Sequence, residues 1–137
     1  MNLVDSCGWL EYFADGPNAD FYAPALEDPG TLLVPTICLL EVFKRVLQQR
    51  GEDAALQAAA AMHQGLLVPL DAPIALRAAR ISCDLKLPLA DSVILATAQT
   101  YSGVIWTQDT HFKGLEGVRY TEKHFCPVKP KRGITDY

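Results

Sequence analysis

The chain has 137 residues, half of them apolar and a fifth charged, with a formal net charge of −4 at pH 7. These values suit one globular domain with a real core, and no Gly/Ser linker, low-complexity tract or repeat divides it. No apolar run approaches the roughly 18 residues that a membrane span needs, and Met1-Asn2-Leu3-Val4-Asp5 lacks the basic n-region of a secretion signal.

The expectation is therefore a single domain over residues 1–137, with 127–137 a flexible C-terminal tail. Cys7, Cys38, Cys83 and Cys126 are widely spaced, with no C-x-x-C pair. That spacing in an Ala/Leu-rich chain reads as free thiols in a reducing compartment, the cytoplasm. Charge is unevenly spread. Residues 1–30 carry Asp5, Glu11, Asp15, Asp20, Glu27 and Asp28 with no Lys or Arg. Residues 113–132 hold Lys113, Arg119, Lys123, Lys129, Lys131 and Arg132 against Glu116 and Glu122.

In chain order, Asn2-Leu3-Val4 predicts a short strand, and Ser6 an N-cap for a helix near Cys7–Phe13. Turn clusters at Asp15-Gly16-Pro17-Asn18 and Asp28-Pro29-Gly30 bracket a short helix around Ala19–Leu26. Thr31–Val34 reads as a second strand. After Pro35-Thr36 comes a helical stretch with an apolar stripe of Leu39, Leu40, Phe43, Val46 and Leu47. Gly51 interrupts it, and the Ala-rich helix Glu52–Met62 completes an antiparallel hairpin. This pair offers a surface for a partner or for burial within the monomer.

Leu66-Leu67-Val68 is a third strand. Asp71-Ala72-Pro73 is an N-cap with proline in the first turn, opening a helix to Leu85. Pro88 starts another that runs to about Tyr101 with Asp91 in its first turn. Gly103 ends it before the strand Val104-Ile105-Trp106. A helical turn at His111–Lys113 and a last strand, Val118-Arg119-Tyr120, follow. Strands alternating with helices imply an α/β fold, a short parallel sheet covered on both faces.

Four acids stand at the ends or flanks of apolar elements: Asp5, Glu41, Asp91 and Asp109. Charged side chains are rarely buried unless paired or metal-bound. Each acid has an ordinary explanation: Asp5 as a cap, Glu41 paired with Arg45, Asp91 at a helix start, Asp109 in a turn. Together they point to the carboxyl edge of the sheet, where four like charges repel unless a cation joins them. Carboxylates and water suit Mg²⁺ or Mn²⁺, and the absence of clustered His or Cys disfavours zinc, copper and iron. Such an ion lowers the pKa of bound water and neutralises phosphoryl charge, which suits phosphodiester hydrolysis. Ser6 and Thr107 are supporting residues that can orient ligands or water. Of His63, His111 and His124, only His111 lies close to a proposed site residue.

The blocks Leu3-Val4-Asp5-Ser6, Thr36 through Glu41, Leu87 through Ala98 and Thr107-Gln108-Asp109-Thr110-His111-Phe112 resemble the PIN domain, in particular VapC-type toxins of toxin–antitoxin pairs. The proline-led helix start, Asp91 and the Ala96-Thr97-Ala98 ending are the most specific part. The resemblance implies an α/β/α three-layer sandwich and a Mg²⁺- or Mn²⁺-dependent endoribonuclease. It places the family's four acids on Asp5, Glu41, Asp91 and Asp109, with Asp5, Asp91 and Asp109 holding the metal. It also implies a homodimer and a small antitoxin that pushes a basic side chain into the acidic pocket. Gln108 and Thr110 depart from the Asn and Arg of many relatives.

RNA phosphates can be drawn to a local basic rim despite the acidic total, with Lys44, Arg45, Arg50, Lys86 and Lys113 as candidates. Trp9 and Tyr12 are aromatic candidates for base stacking, with core packing the stronger expectation for Trp9. Competing readings are a PIN nuclease in RNA processing or on structured DNA, and a catalytically silent α/β binding module. A phospho-acceptor receiver domain would need paired early acids and a well-placed late lysine, and neither is present.

Overall fold

A computed structural model describes residues 1–124. The expected tail at 127–137, and Cys126 before it, lie outside the described residues. Among the described residues five strands form one sheet: β1 (Asn2–Val4), β2 (Leu32–Pro35), β3 (Leu66–Val68), β4 (Val104–Thr107) and β5 (Val118–Tyr120). Their order is β3-β2-β1-β4-β5, and every neighbouring pair is parallel. At the centre, Leu3 stands opposite Ile105 and Val4 opposite Trp106.

The central strands are buried on both faces, as a doubly covered parallel sheet requires. Successive residues Leu33 and Val34, whose side chains point to opposite faces, are both inaccessible to water, as are Leu3 and Val4. The edge strands are less covered, with Leu66 and Arg119 exposed. The Arg119 guanidinium lies 4.3 Å over the Trp106 ring, so an edge position carries a charge that also shields the core.

Among the described residues six α-helices accompany the sheet: α1 (Ser6–Phe13), α2 (Ala19–Leu26), α3 (Thr36–Arg50), α4 (Glu52–Met62), α5 (Ala72–Leu85) and α6 (Leu89–Thr100). The result is the expected α/β/α three-layer sandwich. α3 packs on α4 and α5 on α6. Gly51 joins the first pair at φ +89°, a left-handed backbone that a residue with a Cβ resists. Asp71 caps α5 by accepting from the Ile74 amide at 3.0 Å. Among the described residues no helix is long and apolar enough to cross a membrane. Cys7, Cys38 and Cys83 are free.

Two local expectations need correction. Helix α1 begins at Ser6, not Cys7, and its N-cap is Asp5, whose Oδ1 accepts from the Gly8 amide at 2.8 Å. A carboxylate one residue earlier reaches the free N–H groups, which leaves the Ser6 hydroxyl for another partner. The apolar stripe of α3 holds only in part. Val46 is buried, and Leu39 and Phe43 pack partly buried against the core, but Cys38 and Val42 take the other fully buried positions, while Leu40 and Leu47 are 59% and 43% exposed. Its partner α4 buries Ala55 and Ala58 and exposes Leu56.

Gly8 is a tight point of this packing. A Cβ there would lie 2.5 Å from both Tyr22 Cε1 and Val4 Cγ1. Gly8→Ala is expected to lower stability by about 1–3 kcal/mol, the usual range for overpacking, as read from urea midpoints. An unchanged midpoint would show that α1 shifts freely at this contact.

Candidate metal centre

From β1 the chain moves outward to β2 and β3, then returns to place β4 and β5 on the other side of β1. The direction reverses between β1 and β4, and ligand crevices of open parallel sheets form at such a reversal, beyond the carboxyl ends of the strands. Asp5 directly follows β1. Asp109 follows β4 by two residues. In a parallel sheet the crossover helices run opposite to the strands, so their N-termini lie at the same edge. This brings Asp91 there, in the first turn of α6, and Glu41 from the second turn of α3.

Asp5 is 2% exposed, yet both its oxygens are engaged. Oδ1 takes the Gly8 amide, and Oδ2 accepts from Thr107 Oγ1 at 2.5 Å. The same Thr107 oxygen accepts from the Asp109 amide at 2.9 Å, so one hydroxyl ties the end of β4 to both acids. Burial pushes the Asp5 carboxyl up to about 7. The bonds from Thr107 and Gly8 oppose that rise, and the charges of Asp109 and Asp91 add to it.

Asp91 and Asp109 share one neighbour. His111 Nδ1 lies 3.0 Å from Asp91 Oδ2 and 3.0 Å from Asp109 Oδ1. Asp109 also caps the 3-10 turn Thr110–Phe112 by accepting from the His111 amide at 2.9 Å, which fixes the ring's starting point. Burial raises the Asp91 carboxyl to about 6. Asp109 pushes the same way, His111 opposes, and Glu41 adds a smaller push. Glu41 itself accepts a 2.6 Å hydrogen bond from Ser6 Oγ. Ser6 thus holds the fourth acid from the first residue of α1.

The structure therefore brings Asp5, Asp91 and Asp109 into one electrostatic group, with Glu41 at its side. One ligand atom each from Asp91, Asp109 and His111 lie within 4.8 Å of one another. An imidazole nitrogen thus stands beside the carboxylates expected to line the site. Sequence reasoning placed His111 near the site without its contacts, although its place two residues after a turn-capping aspartate was a readable signal.

It also missed Asn18. This residue is buried, and its Nδ2 donates to Gln108 Oε1 at 2.8 Å, next to Asp109. Separation of 90 positions hides such a pair from any local reading. Trp9 is core, packed on Phe13 with ring centroids 5.6 Å apart. Of the rim candidates, Lys113 pairs with Glu122 at 2.8 Å.

The donor set fits a divalent cation. Buried acids held above the ordinary carboxylate range gain from a positive charge, and carboxylate oxygens suit Mg²⁺ or Mn²⁺, with a nearby imidazole favouring Mn²⁺. Each Asp5 oxygen accepts one hydrogen bond and keeps a further lone pair.

A raised acid pKa has a definite sign for stability. Between about 3.8 and about 7 the folded chain holds the Asp5 proton more tightly than the unfolded chain. Stability without metal therefore falls as pH rises through that window, by an amount on the order of 4 kcal/mol. Asp5→Asn is expected to melt higher than wild type at pH 8 in EDTA, with the gap closing by pH 4. Mn²⁺ should raise the wild-type melting temperature at pH 8 by mass action. Equal melting curves at pH 8 in EDTA would mean that Asp5 ionises there without cost.

The PIN domain family model matches residues 3–118 of the chain. Comparison with curated proteins gave no match. Among solved structures, a toxin–antitoxin complex from Klebsiella pneumoniae contains a similar chain. Its TM-score is 0.75 at 22% identity, over 87% of this chain and 96% of that one. DNA-bound VapBC from Salmonella typhimurium has a TM-score of 0.68 at 14% identity, over 89% and 98%. FitAcB from Neisseria gonorrhoeae has 0.62 at 24%, over 81% and 89%. At these identities the structural likeness is one of fold. The family match spans nearly every element that delivers an acid to the sheet edge, and the chain belongs to the PIN-domain family.

Proposed function

We propose that this protein is a Mg²⁺- or Mn²⁺-dependent endoribonuclease and the toxin of a toxin–antitoxin pair. The observation that carries the reading is the convergence of Asp5, Asp91 and Asp109 at the strand reversal, with burial raising the carboxyls of Asp5 and Asp91 to about 7 and about 6. In this reading those three residues hold the cation. Bound there, it would lower the pKa of an attacking water and offset charge on the phosphoryl oxygens.

The protein groups supply the rest. Thr107 aims the Asp5 oxygen and steadies the Asp109 backbone. Ser6 orients Glu41, which sits beside Asp91 and can direct water within the pocket. The His111 ring stands between Asp91 and Asp109, and its side chain is 53% exposed, at the mouth of the pocket.

Membership of the PIN family supports nuclease chemistry, and the toxin–antitoxin complexes among the solved structures of the same fold support the pairing. A small antitoxin with a basic side chain complements the acidic pocket. A homodimer and a cytoplasmic location belong to the same reading.

The purified chain is expected to cleave single-stranded RNA with added Mg²⁺ or Mn²⁺ and to stop in EDTA. Asp91→Asn should keep the fold but lose more than the roughly 10–100-fold that follows loss of an outer-shell partner. Cleavage of structured DNA but not RNA, assayed in parallel, would redirect the reading to a DNA-acting PIN nuclease. Wild-type rates from Asp91→Asn would remove the assigned site. In cells, expression without a partner should slow growth, and Asp5→Asn should relieve it. Equal growth arrest from both forms would count against toxicity by this chemistry.

A further inference from the structure

Asn18 stands at the N-cap of α2, where asparagine ordinarily turns its side-chain oxygen onto free N–H groups of the helix. Here the side chain makes no capping bond. Though only 4% exposed, Asn18 instead donates from Nδ2 to Gln108 Oε1 at 2.8 Å and to the Glu122 carbonyl at 2.9 Å. Its backbone N–H goes to Glu11 Oε2 at 2.7 Å, and Glu11 Oε1 accepts from Gln108 Nε2 at 3.5 Å. The buried Gln108 amide is thus held at both ends, its oxygen by Asn18 and its nitrogen by Glu11.

Gln108 lies between the two residues that shape the metal centre. On one side Thr107 bonds Asp5 and the Asp109 amide, and on the other Asp109 meets Asp91 through His111. The Thr107 carbonyl also accepts from the Thr121 amide at 3.0 Å, and Asn18 grips the next residue, Glu122. The segment Thr107–Asp109 is therefore clamped from Asp5 on one flank and from Asn18 on the other.

We propose that Asn18 is a positioning residue, diverted from capping α2 to hold Gln108 and so to set where Asp109 meets the cation. The inference rests on the metal-dependent reading above. Buried polar groups that orient a ligand-bearing segment commonly change metal affinity or activity by about 10–100-fold when removed.

The test uses the full chain with Asn18→Ser, which restores an ordinary cap to α2 but cannot reach Gln108. In EDTA, hydrogen exchange at the Asp109 amide should quicken while amides within α2 keep their protection. The Mn²⁺ dissociation constant, from calorimetry, should rise about tenfold or more. Against RNA, kcat should fall with KM unchanged. Gln108→Ala should act alike, and the double variant should be no worse than either single one, since both cut the same tie. Unchanged Asp109 exchange and Mn²⁺ affinity in a folded Asn18→Ser chain, or full additivity of the two substitutions, would overturn the inference. If Asn18→Ser does not fold, Gln108→Ala carries the same readouts. If the wild-type chain binds Mn²⁺ but cuts no RNA, the ribonuclease reading fails while exchange and Mn²⁺ affinity still decide this one.

Discussion

Asp5 accepts hydrogen bonds from Thr107 at one oxygen and from the Gly8 amide at the other, almost without contact with water. Those two bonds join the end of β1 to the end of β4 and to the start of α1. The β1–β4 pairing, with Val4 opposite Trp106, brings the two strand ends level so that the Thr107 hydroxyl can reach the carboxylate. A shift of one residue in that register would turn the strand's side chains to the opposite face and separate the pair. The remaining acids are arranged around this junction.

The site acids also have structural duties. Asp5 caps α1, and Asp109 caps the turn that carries His111. For these two residues a capping role is compatible with the proposed one. Capping fixes the carboxylates in place before any ligand arrives, and burial keeps water from spreading their charge. The result is a preorganised acidic pocket. Burial, with repulsion from the neighbouring acids, raises the carboxyls of Asp5 and Asp91. A divalent cation relieves that repulsion, and a positively charged partner residue offers similar relief.

Strand and helix positions were legible because their signals are local. Asp71-Ala72-Pro73 announces α5, and Gly51 marks the break between α3 and α4. The acids were legible because charge on an apolar element is costly and therefore informative. The buried face of α3 was legible only in part: Val46, Leu39 and Phe43 meet the core, yet Cys38 and Val42 are buried where Leu40 and Leu47 are exposed, because neighbouring stripes of one helix look alike until packing chooses between them. Ser6 as the cap of α1 failed for a similar reason, since Asp5 and Ser6 are both good caps and only the geometry chose between them.

The sequence by itself determined the alternation of strands and helices, the α/β class and the identity of the four acids. Each of these follows from local periodicity, from turn residues or from the cost of burying charge. Tertiary structure alone decided the strand order, which places the reversal between β1 and β4 and so makes one pocket of Asp5 and Asp109. It also decided that His111 stands among the carboxylates and that Asn18 leaves its helix to hold Gln108. These contacts join residues from separate elements, and only packing the sheet and its helices brings such groups within hydrogen-bond reach.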